Sequence, residues 1–409
     1  MIEQDTSDIS TSREQTFQSF GRHVSKGKAA TYEELGLDAV MGQRDGAHFY
    51  DAFDGRPWWN CHCNGGVFNL GHRNPAVVAA VRDALDTFDI GNHHLVSNHR
   101  AELASRLVQT TAGHLTGVVF GVSGGEAVDL AIKVVRGHTG RSKIISAKGG
   151  YHGHTGLALA AGDPEYRDEF RGGLPGFMQV PFDDIEAMAH AIDDDTAAVI
   201  LEPIPATLGM PIPGRGYLQA VQKLCHSRGA KLILDEVQTG LGRTGAMWCY
   251  QHERLKPDVV VTGKGLSGGV YPITATLMTR ELHSLFDRRP FVHISTFGGS
   301  EIGCAAAMAV LDLVSAPGFL DRVVSLGERF EAGLQGLPFT LRRSGMMMGF
   351  KFPAERAGMF AAKLLYDRGV FTVWANNDTS VLQFLPPLIL SDAEADELIA
   401  VVRRAFGAS

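Results

Sequence analysis

The sequence predicts an α/β protein whose central sheet is mostly parallel and buried on both faces. Between residues 115 and 280, short apolar runs rich in β-branched residues recur, and such runs are typical of fully buried strands. Segments with helical spacing, for example residues 126–136 and 217–228, lie between the runs. This alternation favours a parallel sheet flanked by helices. The runs are residues 117–120 (GVVF), 143–146 (KIIS), 197–201 (AAVIL), 231–234 (KLIL), 258–262 (DVVVT) and 273–278 (ITATLM).

The two ends of the chain have a different pattern, which predicts a second, smaller α+β domain. In the C-terminal quarter, helical segments at 304–314, 320–337 and 393–406 flank short strands. Near the other end, residues 45–56 (DGAHFYDAFDGR) predict a hairpin with a glycine turn that joins this small domain. The predicted organisation is a polar arm over 1–30, a segment over 31–70 that joins the small domain, a large domain over 71–310 and the C-terminal small domain over 311–409.

Composition narrows the class of partner and the compartment. The net charge is −7 and no basic stripe is present, so we expect neither nucleic acid nor an anionic membrane as a partner. The five cysteines are an odd number in a long chain, which favours a reducing compartment over a disulfide framework. No apolar run reaches about 18 residues, and the polar N-terminal residues lack the layout of a signal peptide. We therefore predict a cytoplasmic protein.

A glycine-rich turn follows the first apolar run. Residues 121–126 (GVSGGE) stand between that run and a helical segment. A helix N-terminus presents free N–H groups and the positive end of the helix dipole, which suits a phosphate. The turn has neither the G-x-G-x-x-G dinucleotide pattern nor the pattern of a P-loop. On this segment alone, an ordinary strand-to-helix turn remains the alternative.

Two ionisable side chains follow later runs. Asp235 follows the run KLIL, where a buried carboxylate needs a partner such as a pyridinium N–H, a metal ion or an arginine. Lys264 follows the run DVVVT and lies among glycines, which allow a bulky group to approach the backbone closely. Desolvation lowers the pKa of such an amine and makes it nucleophilic. Taken singly, Asp235 is more often structural, and a solvated loop lysine is the alternative for Lys264.

Together these three features suit one cofactor. Ligands of open α/β sheets bind beyond the carboxyl ends of the strands, where the features lie. Pyridoxal phosphate requires a phosphate site, a partner for its ring nitrogen and a lysine for its aldehyde. The sequence therefore predicts pyridoxal 5'-phosphate as the cofactor, with Lys264 carrying it as a Schiff base.

Two longer motifs around these residues resemble a known family. Residues 232–245 (LILDEVQTGLGRTG) and 261–269 (VTGKGLSGG) are similar to the class III aminotransferases, of ornithine and ω-amino type. The resemblance covers the chain from about residue 45 to its end. It implies fold type I, in which a large domain holds a seven-stranded, mostly parallel sheet. It also implies an enzyme that moves an amino group from a donor to a keto acid or aldehyde acceptor.

The resemblance implies a role for each residue of the cofactor site. Lys264 would bind the cofactor covalently and then shuttle protons, and Asp235 would keep the ring nitrogen protonated. Gln238 would hydrogen-bond the phenolic oxygen of the ring, while Val237 and Tyr151 would pack on its two faces. The other implied contacts are Glu202 near the ring, Ser123, Gly124 and Gly125 around the phosphate, and Thr296, which would reach the phosphate in the partner subunit and so require a homodimer.

Four positions depart from the family pattern. The resemblance implies one arginine after the aromatic-His-Gly segment and another before the PPL motif, where this chain has His154 and Gln383. A second, gating glutamate is replaced by Thr207, and a hydroxyl residue is replaced by Gly125, so the phosphate would depend more on backbone N–H groups. Arginine binds carboxylates strongly, and glutamine replaces it poorly. We therefore predict a primary amine or ω-amino donor rather than a simple α-amino acid.

Several alternatives remain open. In place of the two missing arginines, Arg56 or Arg73 would supply a cation for a substrate carboxylate from elsewhere in the chain. An aminomutase, racemase or decarboxylase on the same fold is the main alternative, because a histidine at the position of His154 also occurs in aminomutase-like relatives. A non-catalytic module that binds the cofactor is the second. Residues 61–63 (CHC) lack a second pair of ligands, so no metal site is predicted, and Cys63 is assigned to the N-terminal wall of the substrate pocket.

Overall fold

The structure, a computed structural model, describes residues 12–407. Its strands are β1 (Met41–Asp45), β2 (His48–Asp51), β3 (Pro57–Asn60), β4 (Gly117–Gly121), β5 (Lys143–Ala147), β6 (Phe177–Val180), β7 (Thr196–Leu201), β8 (Lys231–Asp235), β9 (Val259–Thr262), β10 (Thr274–Met278), β11 (Thr340–Ser344), β12 (Met347–Lys351), β13 (Val370–Phe371), β14 (Val373–Ala375) and β15 (Asp378–Phe384). Its helices are α1 (Arg13–His23), α2 (Lys26–Glu34), α3 (Cys63–Gly66), α4 (Pro75–Leu85), α5 (Asn98–Thr110), α6 (Gly124–Thr139), α7 (Gly156–Ala161), α8 (Pro164–Arg167), α9 (Ile185–Ala191), α10 (Tyr217–Ser227), α11 (Arg280–Arg288), α12 (Glu301–Val314), α13 (Phe319–Gly333), α14 (Ala357–Tyr366) and α15 (Asp392–Ala405), with short 3-10 helices at Asp168–Phe170, Cys249–Glu253 and Lys264–Ser267.

The large domain is built on a seven-stranded sheet in the order β4-β10-β9-β8-β7-β5-β6. The strands from β9 to β6 are parallel, whereas β10 pairs antiparallel with both β4 and β9. Each of the six apolar runs in the sequence forms one strand of this sheet, which confirms the predicted α/β class. The seventh strand, β6 (FMQV), escaped prediction because it is short and its apolar pattern is interrupted by Gln179.

Both faces of this sheet are covered. In β8, Leu232 and Leu234 pack into one cluster with apolar residues of α4, α5, α10 and α12, and Ile233 packs into another with residues of α6. Side chains that follow one another along a strand point to opposite faces. β8 is therefore apolar at consecutive positions. Its polar residue Asp235 follows at the carboxyl end, where the strand leaves the core.

The small domain combines both ends of the chain, as predicted. β13 pairs in parallel with β3, so that Val370 lies opposite Trp59. The N-terminal hairpin β1-β2 turns at Gly46, which has a φ of 51°, and Asp45 pairs with His48. A second sheet, in the order β11-β12-β15-β14, comes entirely from the C-terminal part. The first sheet therefore joins segments that are about 300 positions apart in the chain.

The N-terminal arm contains more secondary structure than its polar composition predicts. Its residues from Arg13 onward form α1 and α2, while residues 1–11 lie outside the described part of the chain. The Arg13 guanidinium donates to Asp51 and to Asp54, each at 2.7 Å. These ion pairs hold α1 against the β2-β3 turn, a contact that local composition does not reveal.

Within residues 12–407, no single helix has both the length and the apolar composition needed to cross a membrane; α12 and α13 meet the requirement only as a pair, bent by 68°. Both helices bury apolar side chains in the core, for example Val310 of α12 and Leu326 of α13.

Candidate active site

The carboxyl ends of the parallel strands open into a cavity of about 360 Å³. The loops that surround it follow β4, β5, β7, β8 and β9; in the sheet, β9, β8, β7 and β5 are consecutive neighbours and β10 separates β4 from β9. Every residue predicted to contact the cofactor lines this cavity, except Thr296. The lining consists of Ser123, Gly124, Gly125, Tyr151, His152, Gly153, His154, Thr155, Glu202, Asp235, Val237, Gln238 and Lys264.

Lys264 reaches the cavity from a strained backbone position. Its φ of 40° lies in the left-handed region, which costs a non-glycine residue on the order of 1–2 kcal/mol. Its Nζ donates to Gln238 Oε1 at 2.9 Å. Burial lowers the pKa of the amine, and the charges of Asp235 and Glu202 oppose part of that lowering. The site therefore favours the uncharged, nucleophilic amine more than water does.

Asp235, the last residue of β8, accepts hydrogen bonds at both oxygens. Its Oδ2 accepts from His152 Nδ1 at 2.9 Å, and its Oδ1 accepts from the Val237 N–H at 3.1 Å. Burial lowers the pKa of His152, but the hydrogen bond and charge of Asp235 outweigh that effect, so the pKa is raised. The two buried side chains are hydrogen-bonded to each other, and this contact fixes the carboxyl group of Asp235 at the base of the cavity.

Glu202 is a second buried carboxyl group, one residue beyond β7. Its Oε1 accepts from the Tyr151 N–H at 2.8 Å, and its Oε2 accepts from the Ala206 N–H at 3.4 Å. Burial raises the pKa of Glu202 to about 7, while His152 opposes the rise and Asp235 adds to it. Near neutral pH this side chain therefore exchanges between a carboxylate and a carboxylic acid.

Gln238 has an unused donor in the cavity. Its Oε1 accepts from Lys264, while its Nε2 is buried and has no partner among residues 12–407. The short helix α3 lies close to Lys264, since a Cβ on its residue Gly65 would lie 3.1 Å from Lys264 Nζ. A buried donor without an acceptor costs about 1–3 kcal/mol. A ligand that places an acceptor oxygen at this point would remove that cost.

The N-terminus of α6 forms another side of the cavity. Ser123 is the N-cap and accepts from the Glu126 N–H at 3.2 Å, so the hydroxyl hydrogen of Ser123 is left to donate. The N–H groups of Gly124 and Gly125 lie in the first turn, where a helix has no acceptors for them. Since α6 has 16 residues, its dipole also favours negative charge here. The arrangement suits an anion such as a phosphate.

Aromatic rings lead from the cavity to its mouth. The Tyr151 and His154 ring centroids are 5.1 Å apart, and those of His154 and Tyr166 are 5.3 Å apart. The Tyr166 hydroxyl donates to Asn377 Oδ1 at 3.1 Å, and the Asn377 N–H donates to the Thr207 carbonyl at 2.9 Å. Asn377 belongs to the small domain, so both domains build the mouth. Sequence reasoning missed Tyr166 and Asn377 because neither belongs to a recognisable motif.

Of the four residues predicted for the substrate pocket, His154 lines the cavity and the other three do not. Each of those three donates to a nearby backbone carbonyl instead. Cys63 is fully buried, and burial raises the pKa of its thiol to about 12. The three bonds run from Cys63 Sγ to Asn60 at 3.3 Å, from Thr207 Oγ1 to Gly149 at 2.9 Å and from Gln383 Nε2 to Trp374 at 3.3 Å.

Arginines also lie away from the cavity lining. Arg56 donates to Asp38 at 2.9 Å and lies 4.2 Å from the centroid of the Trp58 ring, and Arg73 is exposed on the turn before α4. Among residues 12–407, no arginine lines the cavity. The described chain therefore offers no bidentate anchor for a carboxylate at this point.

Thr296 lies in the loop between α11 and α12, outside the cavity of its own chain. This loop exposes apolar side chains: Phe291 is 69% and Phe297 is 54% exposed. The loop before α5 lies beside it, since the rings of His94 and Phe291 are 6.0 Å apart, and exposes 99% of Val96. Contiguous exposed apolar groups of this kind mark interaction surfaces.

The chain was compared with known proteins by sequence. The sequence profile of the family described as aminotransferase class-III matches residues 31–406. A protein of Archaeoglobus fulgidus described as an uncharacterized aminotransferase is 51% identical over 385 residues, which cover 93% of this chain and 91% of that protein.

Solved structures are similar over almost the whole chain. The ornithine aminotransferase of Toxoplasma gondii ME49 has a TM-score of 0.89 and 24% identity, with 97% of this chain and 96% of that chain covered. The adenosylmethionine-8-amino-7-oxononanoate aminotransferase of Methanocaldococcus jannaschii has a TM-score of 0.87 and 26% identity, with 97% of this chain and 99% of that chain covered. Both likenesses show that this chain shares the overall fold of these structures.

Proposed function

Because the chain belongs to the class III aminotransferase family, we propose that it moves the amino group of a primary amine that lacks an anchoring carboxylate. The protein is a pyridoxal-phosphate-dependent aminotransferase, and the acceptor is a carbonyl compound. One observation carries the proposed substrate class: Lys264, Asp235 and the N-terminus of α6 face one cavity that no arginine of residues 12–407 lines.

The residues of the cavity fit pyridoxal phosphate. The buried Nε2 of Gln238 lacks an acceptor, which the phenolic oxygen of the cofactor would supply. The carboxylate of Asp235 offers a negative charge to the ring N–H, and the N-terminus of α6 offers donors to the phosphate. The cofactor ring would lie between Val237 and Tyr151. Val237 is held beside the start of α6, since a Cβ on Gly124 would lie 3.4 Å from its Cγ1.

Bound pyridoxal phosphate supplies an aldehyde carbon for exchange of the amine and a ring that withdraws electrons. We assign the covalent hold on the cofactor to Lys264 Nζ. With a substrate amine bound, the same Nζ would accept a proton from the amine-bearing carbon and would return a proton on the cofactor side. Burial lowers the pKa of this amine, so it can act as a base near neutral pH.

Asp235 holds the proton on the ring nitrogen. His152 and the Val237 N–H both donate to its carboxylate and hold it in place. His152 thus acts as a positioning residue: it fixes the direction of the Asp235 carboxylate and takes no part in proton transfer to the substrate. Glu202, with a pKa raised by burial to about 7, lies beside the same ring site and can exchange a proton there.

The proposed class of amine donor follows from the absence of an arginine among residues 12–407 that line the cavity. A carboxylate that enters an apolar cavity needs a cation with matching hydrogen bonds. His154 and Tyr166 supply an imidazole and a phenol here, and neither side chain offers the bidentate pairing that an arginine makes with a carboxylate. The proposed donors are therefore diamines and other primary amines, and ω-amino compounds only where the carboxylate lies farther from the reacting amine than it does in ornithine or 4-aminobutyrate.

A panel of donors tests the substrate class. We expect primary amines to convert the bound cofactor to its amine form, observed by absorbance, at least about tenfold faster in kcat/KM than ornithine or 4-aminobutyrate, because one missing ion pair costs more than about 1.4 kcal/mol. His154→Arg should narrow that ratio, and an exposed control, His190→Arg, should not. Fast turnover of ornithine with oxoglutarate by the wild-type protein would contradict the proposal.

A homodimer is the proposed assembly, in which Thr296 donates to the phosphate in the partner subunit. The exposed apolar loop around Thr296, and the absence of this residue from its own cavity, support the proposal. The five cysteines are buried and free, which supports the proposed cytoplasmic location.

Mixed dimers test the role of Thr296. Each of Lys264→Ala and Thr296→Val should be inactive or weak as a homodimer. A mixed dimer of the two variants should contain one site with both native residues and recover about half of the wild-type activity. If Thr296 serves its own chain, the mixed dimer has no such site and no recovery is measured.

A further inference from the structure

The loop after β5 brings a hydroxyl group to the N-terminus of α6. Thr155 lines the cavity together with Ser123, Gly124 and Gly125. It occupies the N-cap position of α7, yet its side chain makes no capping hydrogen bond. The Thr155 hydroxyl is therefore not used by its own helix and is available to a ligand.

Gly125 has no side chain, and the Thr155 hydroxyl lies beside the space that this leaves. A Cβ on Gly125 would lie 2.6 Å from Thr155 Oγ1 and 3.2 Å from its Cγ2. The backbones are equally close, since a Cβ on Gly153 would lie 2.7 Å from the Gly125 Cα. Two glycines that face each other thus permit the loop to approach the helix. Thr155 Oγ1 stands where a side chain at position 125 would begin.

An anion at the start of α6 meets few positive charges. Lys264 and His152 line the same cavity, but Lys264 is assigned to the aldehyde and His152 is paired with Asp235. The nearby Glu126 carboxylate accepts from the Val122 N–H at 2.7 Å and adds negative charge. Uncharged donors must therefore account for much of the binding of a phosphate, and each hydroxyl matters more than it would beside an arginine.

We infer that the Thr155 hydroxyl donates to the phosphate of the cofactor and takes the place of a hydroxyl side chain at position 125. This inference rests on the proposed cofactor site. With Ser123 and the N–H groups of Gly124 and Gly125, it completes a set of donors drawn from two loops, those after β4 and β5. Sequence reasoning assigned the phosphate only to the first loop, because the approach of the second depends on the packing of Gly153 against Gly125.

Cofactor affinity tests the inference without reference to turnover. The wild-type holoenzyme and its Thr155→Val and Thr155→Ser variants are freed of cofactor and titrated with pyridoxal phosphate and, separately, with pyridoxal, which has no phosphate. Valine keeps the shape of threonine and removes the donor. We expect Thr155→Val to weaken the binding of pyridoxal phosphate about 10- to 100-fold, the range of a hydrogen bond to a charged group.

The comparison of the two ligands separates phosphate binding from loop packing. Thr155→Val should leave the affinity for pyridoxal unchanged within about threefold, and Thr155→Ser should bind both ligands like the wild type. Equal losses for both ligands would overturn the inference, since they indicate a packing role. Unchanged affinity for pyridoxal phosphate would also overturn it.

A double variant provides the reciprocal measurement. Gly125→Ser combined with Thr155→Ala places a hydroxyl at position 125 in the space that the smaller alanine leaves. It should recover most of the affinity that Thr155→Ala alone loses. No recovery would contradict the proposed exchange of position. If the wild-type protein forms no borohydride-fixed adduct on Lys264, the proposed function itself fails; if it forms one and Thr155→Val binds normally, only this inference fails.

Discussion

The base and the mouth of the cavity are held in place by different means. At the base, Asp235 and His152 are buried and paired with each other within the large domain. At the mouth, His154 is exposed, and its neighbour Tyr166 is oriented by Asn377 from the small domain. Charges in a low dielectric act strongly and need no reorganisation, whereas exposed loops can be altered at little cost in stability. We therefore assign the chemistry to the strand ends of the large domain and propose that the loops between the domains select the substrate.

The largest effect should come from the base, at Lys264. Lys264→Ala removes both the covalent hold and the base, and turnover should fall by at least about 10³-fold. The borohydride-fixed adduct at position 264 should disappear from the mass spectrum. The exposed Lys223→Ala serves as a control and should keep both turnover and adduct. Retention of substantial turnover in Lys264→Ala would refute the assigned role.

The next effect should come from Asp235. Asp235→Asn keeps the size of the side chain and removes the charge that holds the ring proton and pairs with His152. We expect kcat to fall about 10²- to 10³-fold, as for loss of a preorganised electrostatic contact, together with a change in the absorbance of the bound cofactor. Asp194→Asn, at an exposed position, should change neither. A loss confined to KM would contradict the role of Asp235 at the base.

The third predicted effect is a change in the stability of the cofactor-free protein with pH, not a change in the rate of turnover. Burial raises the pKa of Glu202 from 4.5 to about 7, so the folded protein retains a proton that the unfolded chain releases between these values. The stability of the cofactor-free protein should therefore fall as the pH rises from about 4.5 to 7. Glu202→Gln should remove the share of this fall that Glu202 contributes and add on the order of 1–3 kcal/mol at pH 8. A smaller fall should remain, because burial also raises the pKa of Glu236 to about 7.

Thermal unfolding at several pH values measures the effect of Glu202. The control is Glu355→Gln, since Glu355 is exposed and its replacement should leave the pH dependence as it is in the wild type. An unchanged slope in Glu202→Gln would show that the Glu202 carboxyl group is already ionised in the folded protein and would contradict its raised pKa.

The smallest effect should come from the mouth. Tyr166→Phe removes the hydrogen bond to Asn377 Oδ1 and keeps the ring beside His154. We expect KM for the amine to rise about two- to fivefold with kcat unchanged, because one partly buried neutral hydrogen bond contributes about 0.5–1 kcal/mol. Tyr32→Phe, a hydroxyl away from the cavity, is the matched control. A tenfold loss of kcat in Tyr166→Phe would contradict the assignment of catalysis to the base of the cavity and of substrate binding to its mouth.

Much of the site was predictable because its signals are local. Asp235 and Lys264 each follow an apolar run that forms a strand, and Ser123, Gly124 and Gly125 stand where such a run meets a helix. Six of the seven strands of the large sheet follow from the same runs. The predictions for the pocket wall had no such support: Cys63 and Gln383 are buried and bonded to backbone carbonyls outside the lining.

Short patterns of burial and turn formation were enough to predict the α/β architecture, the strand ends that carry the acid and the lysine, and the family. Only the tertiary structure decided that His152 pairs with Asp235, that Thr155 stands against Gly125, and that Asn377 holds the mouth. Each of these contacts joins loops that are distant along the chain. Their distances depend on how the sheet twists and how the two domains pack, and no local pattern of residues records that geometry.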